Sequence, residues 1–179
     1  MDDARPLDAG ELHHWLDELA VALRGEGDTD VPCGDCTACC EAFQFIHVAP
    51  DETDTLAHIP SPLLFPAPGA PAGYRVMGYD ERGRCPMLRD DGCSIYAHRP
   101  RTCRTYDCRV FAATGVTPTG RGQDAIAARA ARWRFAVRDG RDQDSLDAMH
   151  EAVAAADTDL PPIARALAAI ESTTFGESS

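Results

Sequence analysis

Apolar residues recur at helical spacing near the start of the chain, at Leu12, Trp15, Leu16, Leu19 and Leu23. They predict an amphipathic helix over 9–24, with Asp8 and Glu11 spaced like a capping box and Gly25 beyond its end. The acidic stretch 27–32 breaks this pattern and reads as a loop. Residues 43–48 read as a short strand and 50–59 as a short helix, while 60–73, with five prolines, reads as an irregular loop. Segments 74–79 and 85–88 predict a hairpin around the turn 80–83, and Asp90-Asp91-Gly92 predicts a tight turn into Cys93. Arg99-Pro100 opens a short helix carrying Cys103 and reaching toward Cys108, with Pro100 tolerated in a first turn. A connector over 114–122 follows. Three helices are then expected: 124–138 with Ile126, Ala130, Trp133 and Val137 on one face, 145–156 with Leu146, Met149 and Val153, and 162–171 with Ile163, Leu167 and Ile170. The terminal residues 172–179 are expected to fray.

This order of elements predicts an α+β fold: a small irregular cysteine-rich core with short strands, surrounded by several helices. The expected organisation is one domain over 1–179, with the core at 33–108 and flanking helices at 9–24 and 124–171. A length of 179 residues, 44% hydrophobic and 26% charged, suits a folded soluble protein. No apolar run approaches a membrane span, so no membrane association is expected. The formal net charge of -12 argues against nucleic acid as a partner, since phosphates are held by clustered Lys and Arg. That charge is uneven. Residues 1–30 hold nine Asp and Glu against two Arg, whereas 84–109 hold six Arg against three Asp.

The positive segment contains half of the chain's chemistry. Eight cysteines form two groups, Cys33-x2-Cys36-x2-Cys39-Cys40 and Cys85-x7-Cys93-x9-Cys103-x4-Cys108. Two-residue spacers let successive thiolates turn toward one point, and converging sulfurs are what Zn²⁺ or an iron–sulfur cluster requires. A disulfide framework fits less well, because adjacent and near-adjacent cysteines close strained rings and no leader-like apolar run follows the acidic start, which points to a reducing, cytoplasmic setting. All eight cysteines are therefore metal-ligand candidates at one composite site. The x2, x2 series is the front of a bacterial ferredoxin run, with Cys85-Pro86 available as a distant partner, although Cys40 has no place in that pattern. An iron–sulfur cluster, of the 4Fe-4S type, is the leading cofactor reading. Zinc is the alternative.

The same residues carry a family resemblance. Cys33-x2-Cys36-x2-Cys39-Cys40, Gly83-x-Cys85-Pro86-x-Leu88, Gly92-Cys93-x-Ile95-Tyr96, Arg99-Pro100-x2-Cys103-Arg104 and Tyr106-x-Cys108 resemble the YkgJ-like cysteine-cluster proteins, described as CxxCxxCC or zinc- or iron-chelating domains. The resemblance covers 33–108 and implies a metal centre while leaving iron or zinc open. A similar cysteine motif occurs in flagellin lysine methylases, which would imply an iron–sulfur protein using S-adenosylmethionine, but nothing in the flanking sequence looks like a flagellin-binding region.

Among the companions, Tyr96, Arg99 and Arg104 are candidates to surround the sulfurs, and Arg101 and Arg109 could also offset thiolate charge. His47 and His98 are not needed as ligands beside eight thiols, while Glu41, Glu52 and Asp54 read as solvated charges. No catalytic residue is legible: there is no Gly-rich phosphate loop, G-x-S-x-G elbow or H-E-x-x-H. The functional expectation is thus an iron–sulfur protein with a redox or cluster-assisted role toward an unknown substrate or protein partner, or else a zinc-binding structural or chelating module.

Overall fold

The first helix begins later than its spacing predicts, because a strand claims the residues in front of it. In the computed structural model, which describes residues 5–29 and 31–175, β1 (Leu7–Glu11) runs parallel to β7 (Trp133–Ala136). Leu7 faces Trp133 and Glu11 faces Ala136, with an irregularity between Asp8 and Glu11 where Gly10 takes a φ of +85°. Asp8 accepts from the Gly10 N–H at 2.9 Å and does not cap the helix. Helix α1 (Leu12–Leu23) then buries Leu12, Trp15, Leu16 and Leu19, as its spacing predicts.

The pairing of β1 with β7 also corrects the expected helix over 124–138. Helix α5 (Asp124–Ala130) stops early, Trp133-Arg-Phe-Ala turns into strand, and Val137 is exposed. Trp133 is compatible with either periodicity. Partner strand β1 and the Trp15–Phe135 ring contact, 4.7 Å between centroids, decide for the strand.

A second sheet of three antiparallel strands has the order β2 (Ile46–Val48), β4 (Arg75–Met77), β3 (Leu64–Pro66). The predicted hairpin of 74–79 with 85–88 is absent because both edges of β4 are taken, by β2 and β3. Its turn survives alone, closed by Asp80 accepting from the N–H groups of Arg82 and Arg84. The proline-rich 60–73 segment contributes β3, an edge strand on which Pro66 costs no ladder bond. A minimal hairpin, β5 (Leu88–Arg89) and β6 (Gly92–Cys93), forms across the predicted Asp90-Asp91 turn.

The remaining helices are α2 (Thr53–His58), α3 (Arg101–Thr105), α4 (Arg109–Thr114), α6 (Gly140–Ala155) and α7 (Pro162–Ile170). Residues 171–175 add a π-helical turn, and the rest of the expected frayed end, 176–179, lies outside the described residues. No described helix is long and apolar enough to cross a membrane.

Two apolar clusters organise these elements. The larger joins α1, α4, Ile126, Trp133, Met149 and α7, with Cys108 inside it and Cys36 and Cys39 packed against it. The smaller joins Ile46, Val48, Ile59, Met77, Met87 and Ile95, with Cys85, Cys93 and Cys103 against it. Each cluster thus delivers its own sulfurs.

Candidate metal centre

The first cysteine group is shaped by turns. Cys36 donates its N–H to the Cys33 carbonyl at 3.1 Å, and Cys40 donates to Thr37 at 2.8 Å inside the 3₁₀ turn Ala38–Glu41. The chain then locks at Phe43, whose φ is +54° and whose N–H reaches the Gly83 carbonyl at 3.0 Å. Its ring lies where any side chain on Gly83 or Gly122 would fall, 2.3 and 2.6 Å from the position a Cβ would take. This clamp brings the two sequence groups together: Cys85 donates its N–H to the Cys40 carbonyl at 2.7 Å.

Cys93 comes from β6 and Cys103 from α3. Glu52 positions α3, because its carboxylate accepts the N–H of Arg101 at 2.5 Å and that of Ala49 at 2.9 Å. It is buried, which corrects its reading as a solvated charge. Cys108 precedes α4 and is fixed by its neighbours. Buried Asp107 accepts from the Trp15 indole at 2.8 Å and pairs with buried Arg109 at 2.8 Å, while Arg109 also reaches the Ala9 carbonyl at 3.3 Å.

All eight thiols are free and all line one cavity of about 500 Å³. The two sequence groups meet there, but the thiols sort into different fours. Cys39 is pushed up by burial and then by the charges of Cys108, Cys33 and Cys36, ahead of that of Cys40. Cys108 is raised to about 11 by burial, with Cys33 and Cys36 adding to it and the Trp133 N–H, 3.2 Å from its sulfur, opposing. Cys40 is raised to about 12 by burial and then by Cys85 and Cys93, and Cys103 to about 12 by burial and then by Cys85, Cys40 and Cys93. By these mutual influences Cys33, Cys36, Cys39 and Cys108 group together, as do Cys40, Cys85, Cys93 and Cys103, with Cys36 also acting on Cys40 across the divide. The boundary between them runs through the Cys39–Cys40 peptide bond.

The thiols of each four are also spread apart. Among the described residues, the group of three His, Cys, Asp or Glu ligand atoms lying within 4.8 Å of one another is Asp54, His58 and His98, and no three thiols are that close.

Of the flanking candidates, Tyr96 and Arg99 line the cavity, with the Arg99 guanidinium 3.6 Å from the centre of the Tyr96 ring. Arg104 instead turns to Asp28 at 3.1 Å and to the Arg99 carbonyl at 3.0 Å. Arg101 pairs with Asp51 at 2.9 Å. Sequence reasoning missed Arg129, which lines the cavity, donates to the Cys33 carbonyl at 3.0 Å and opposes the upward push of burial and Cys36 on the Cys33 thiol. Nothing local marks it, since it sits in an alanine-arginine helix like several exposed arginines of this chain. Tyr106 of the Tyr106-x-Cys108 motif also lines the cavity, its hydroxyl raised by burial and then by Cys39 and Cys108.

The order and spacing of these cysteines match a known family over 32–120, the CxxCxxCC model described as a "Putative zinc- or iron-chelating domain". Residues 32–120, just under half of the chain, are similar to the CxxCxxCC family. The family description supports metal binding and does not choose between zinc and iron. No curated protein and no solved structure matches the chain. The CxxCxxCC segment contains all eight cysteines but not α5 or β7, so Arg129 and Trp133 are additions from outside it.

Proposed function

We propose that this chain is an iron–sulfur protein holding two cubane-type clusters side by side, one on Cys33, Cys36, Cys39 and Cys108 and the other on Cys40, Cys85, Cys93 and Cys103. The observation that carries this reading is the spacing of the thiols. Four thiolates around a zinc ion at roughly 2.3 Å stand about 3.8 Å from one another, closer than any three thiols here. A cluster places iron and sulfide between its thiolates, needs more room, and suits a cavity of about 500 Å³ walled by eight sulfurs. When bound, such clusters supply one-electron transfer.

The protein's own residues suit that role. Ile46, Met77, Met87, Ile95 and Ile126 make the cavity wall apolar and limit water at the sulfurs. Trp133 donates to the Cys108 sulfur, and Arg99 and Arg129 bring positive charge toward Cys33. Catalysis is not required by any of these features, and electron transfer or redox sensing in the cytoplasm accounts for them.

The test is anaerobic purification followed by an absorption spectrum and elemental analysis on one sample. A brown protein with about eight iron and eight sulfide per chain is expected. Cys36→Ser and Cys103→Ser should each remove the iron of one cluster and leave that of the other. A colourless protein with two zinc ions would replace this reading with a structural zinc module, and loss of all metal in either variant would replace two centres with one.

A further inference from the structure

Among the described residues, one group of three ligand-type side chains lies within 4.8 Å of one another, at the surface and outside the thiols. Helix α2 supplies Asp54 and His58, one helical turn apart and so on the same face, and the 3₁₀ turn Tyr96–His98 supplies His98. The His98 Nδ1 lies 2.7 Å from the Asp54 carboxylate. The His58 Nδ1 lies 2.8 Å from the Asp54 backbone carbonyl and 3.7 Å from its carboxylate. The two imidazoles are stacked, 3.5 Å between centroids and 6° between planes.

We propose that Asp54, His58 and His98 form a sulfur-free site for a divalent cation of the zinc class. One nitrogen from each ring and one carboxylate oxygen already lie within 4.8 Å of one another. Tetrahedral zinc, with bonds to imidazole nitrogen and carboxylate oxygen of roughly 2.0–2.2 Å, holds its ligands about 3.4 Å apart. Small side-chain rotations therefore suffice. Two imidazoles and a carboxylate suit Zn²⁺, Co²⁺, Ni²⁺ or Cu²⁺ better than Mg²⁺ or Ca²⁺, which prefer all-oxygen sets. As the rings stand, both Nδ1 atoms donate, His98 to the Asp54 carboxylate and His58 to the Asp54 carbonyl, and an ion taken at Nδ1 moves that proton to Nε2 in each neutral ring. With side-chain exposures of 41%, 37% and 70% for His58, His98 and Asp54, an ion enters directly from solvent and finds room for water ligands.

The site has a structural consequence. His98 stands midway between Cys93 and Cys103, two members of one thiol four, while Asp54 and His58 belong to α2 beside Glu52, which positions the start of α3. An ion here ties the Cys93–Cys103 loop to α2. The proposal uses no thiol and holds whether the thiols carry iron or zinc.

The test is equilibrium dialysis of the full chain, purified anaerobically with its thiol-bound metal in place, against Zn²⁺, with elemental analysis for zinc and iron. The wild-type chain should take up one zinc ion beyond its starting content. H58Q/H98Q should not, while keeping its original metal, and Asp54→Asn should bind at least about tenfold more weakly. Cys36→Ser should retain the extra zinc. The proposal is overturned if H58Q/H98Q takes up the same zinc as wild type, if wild type takes up none, or if the extra ion is lost in Cys36→Ser.

Discussion

At Gly83 even a methyl group has no place: it would sit 2.3 Å from the Phe43 ring on a backbone whose φ is +82°. Gly83→Ala combines a left-handed backbone cost of about 1–2 kcal/mol with overpacking of about 1–3 kcal/mol. Gly34, at φ +59° with nothing within 4 Å of its Cβ position, carries the first cost alone. In denaturant titrations of the metal-loaded protein, Gly83→Ala should therefore lose clearly more stability than Gly34→Ala. The indole of Trp133 allows a finer test. A reduced cluster carries one more negative charge than an oxidised one, so an N–H aimed at its sulfur stabilises the reduced form more. Trp133→Phe removes that donor from Cys108. The midpoint potential of the proposed cluster should fall by roughly 40 mV, the equivalent of one hydrogen bond of about 1 kcal/mol in a one-electron couple.

Among the elements, the Asp107–Arg109 pair joins three pieces of chain: the indole of α1, the start of α4 and the Ala9 carbonyl of β1. With both side chains at most 5% exposed, Asp107→Asn leaves an uncompensated buried guanidinium. The expected loss is about 3–5 kcal/mol by equilibrium unfolding, and Asp107→Leu combined with Arg109→Met should cost less than the single change. The junction of β7 with α6 predicts an acid effect. The Asp142 carboxyl is held below its usual range by the Arg138 N–H and then by His13. A carboxyl lowered by folding contributes stability above its unfolded pKa of about 3.9, and that stability is lost as pH falls through the lowered folded value. Melting temperatures measured through this acid range should fall less steeply for Asp142→Asn than for wild type.

These elements also mark where the sequence was readable. Regular apolar spacing located α1 and α7, and the Asp90-Asp91-Gly92 turn was legible because its geometry is local. Strands β1 and β7 were not, because each is defined by a partner over a hundred residues away, and Trp133 fits a helical face as well as a strand. The eight sulfurs were legible as a set through their spacing. Their division was not, because Cys108 joins the first group only through the fold of α4 and β7, and Cys40 leaves it only because Phe43 clamps the chain beside Gly83 and Cys85.

For the molecule as a whole, metal and fold should be interdependent, and unevenly so. The thiol-bearing segments are mostly turns and two- to five-residue elements, while α6 and α7 pack in the larger apolar cluster and contribute no residue to the cavity lining. Removing the metal under reducing conditions should raise amide hydrogen exchange across 33–42 and 83–108 and leave the amides of α6 and α7 near Met149 and Ala166 protected. Equal loss of protection everywhere would show that the metal holds the entire chain. The wall contributed by Ile126, Arg129 and Trp133 changes what counts as a transplantable unit. The family segment ends at Gly120, four residues short of α5. A fragment cut there would keep every sulfur yet open the cysteine cavity to water on one flank, so the portable version of this protein must extend through Ala136.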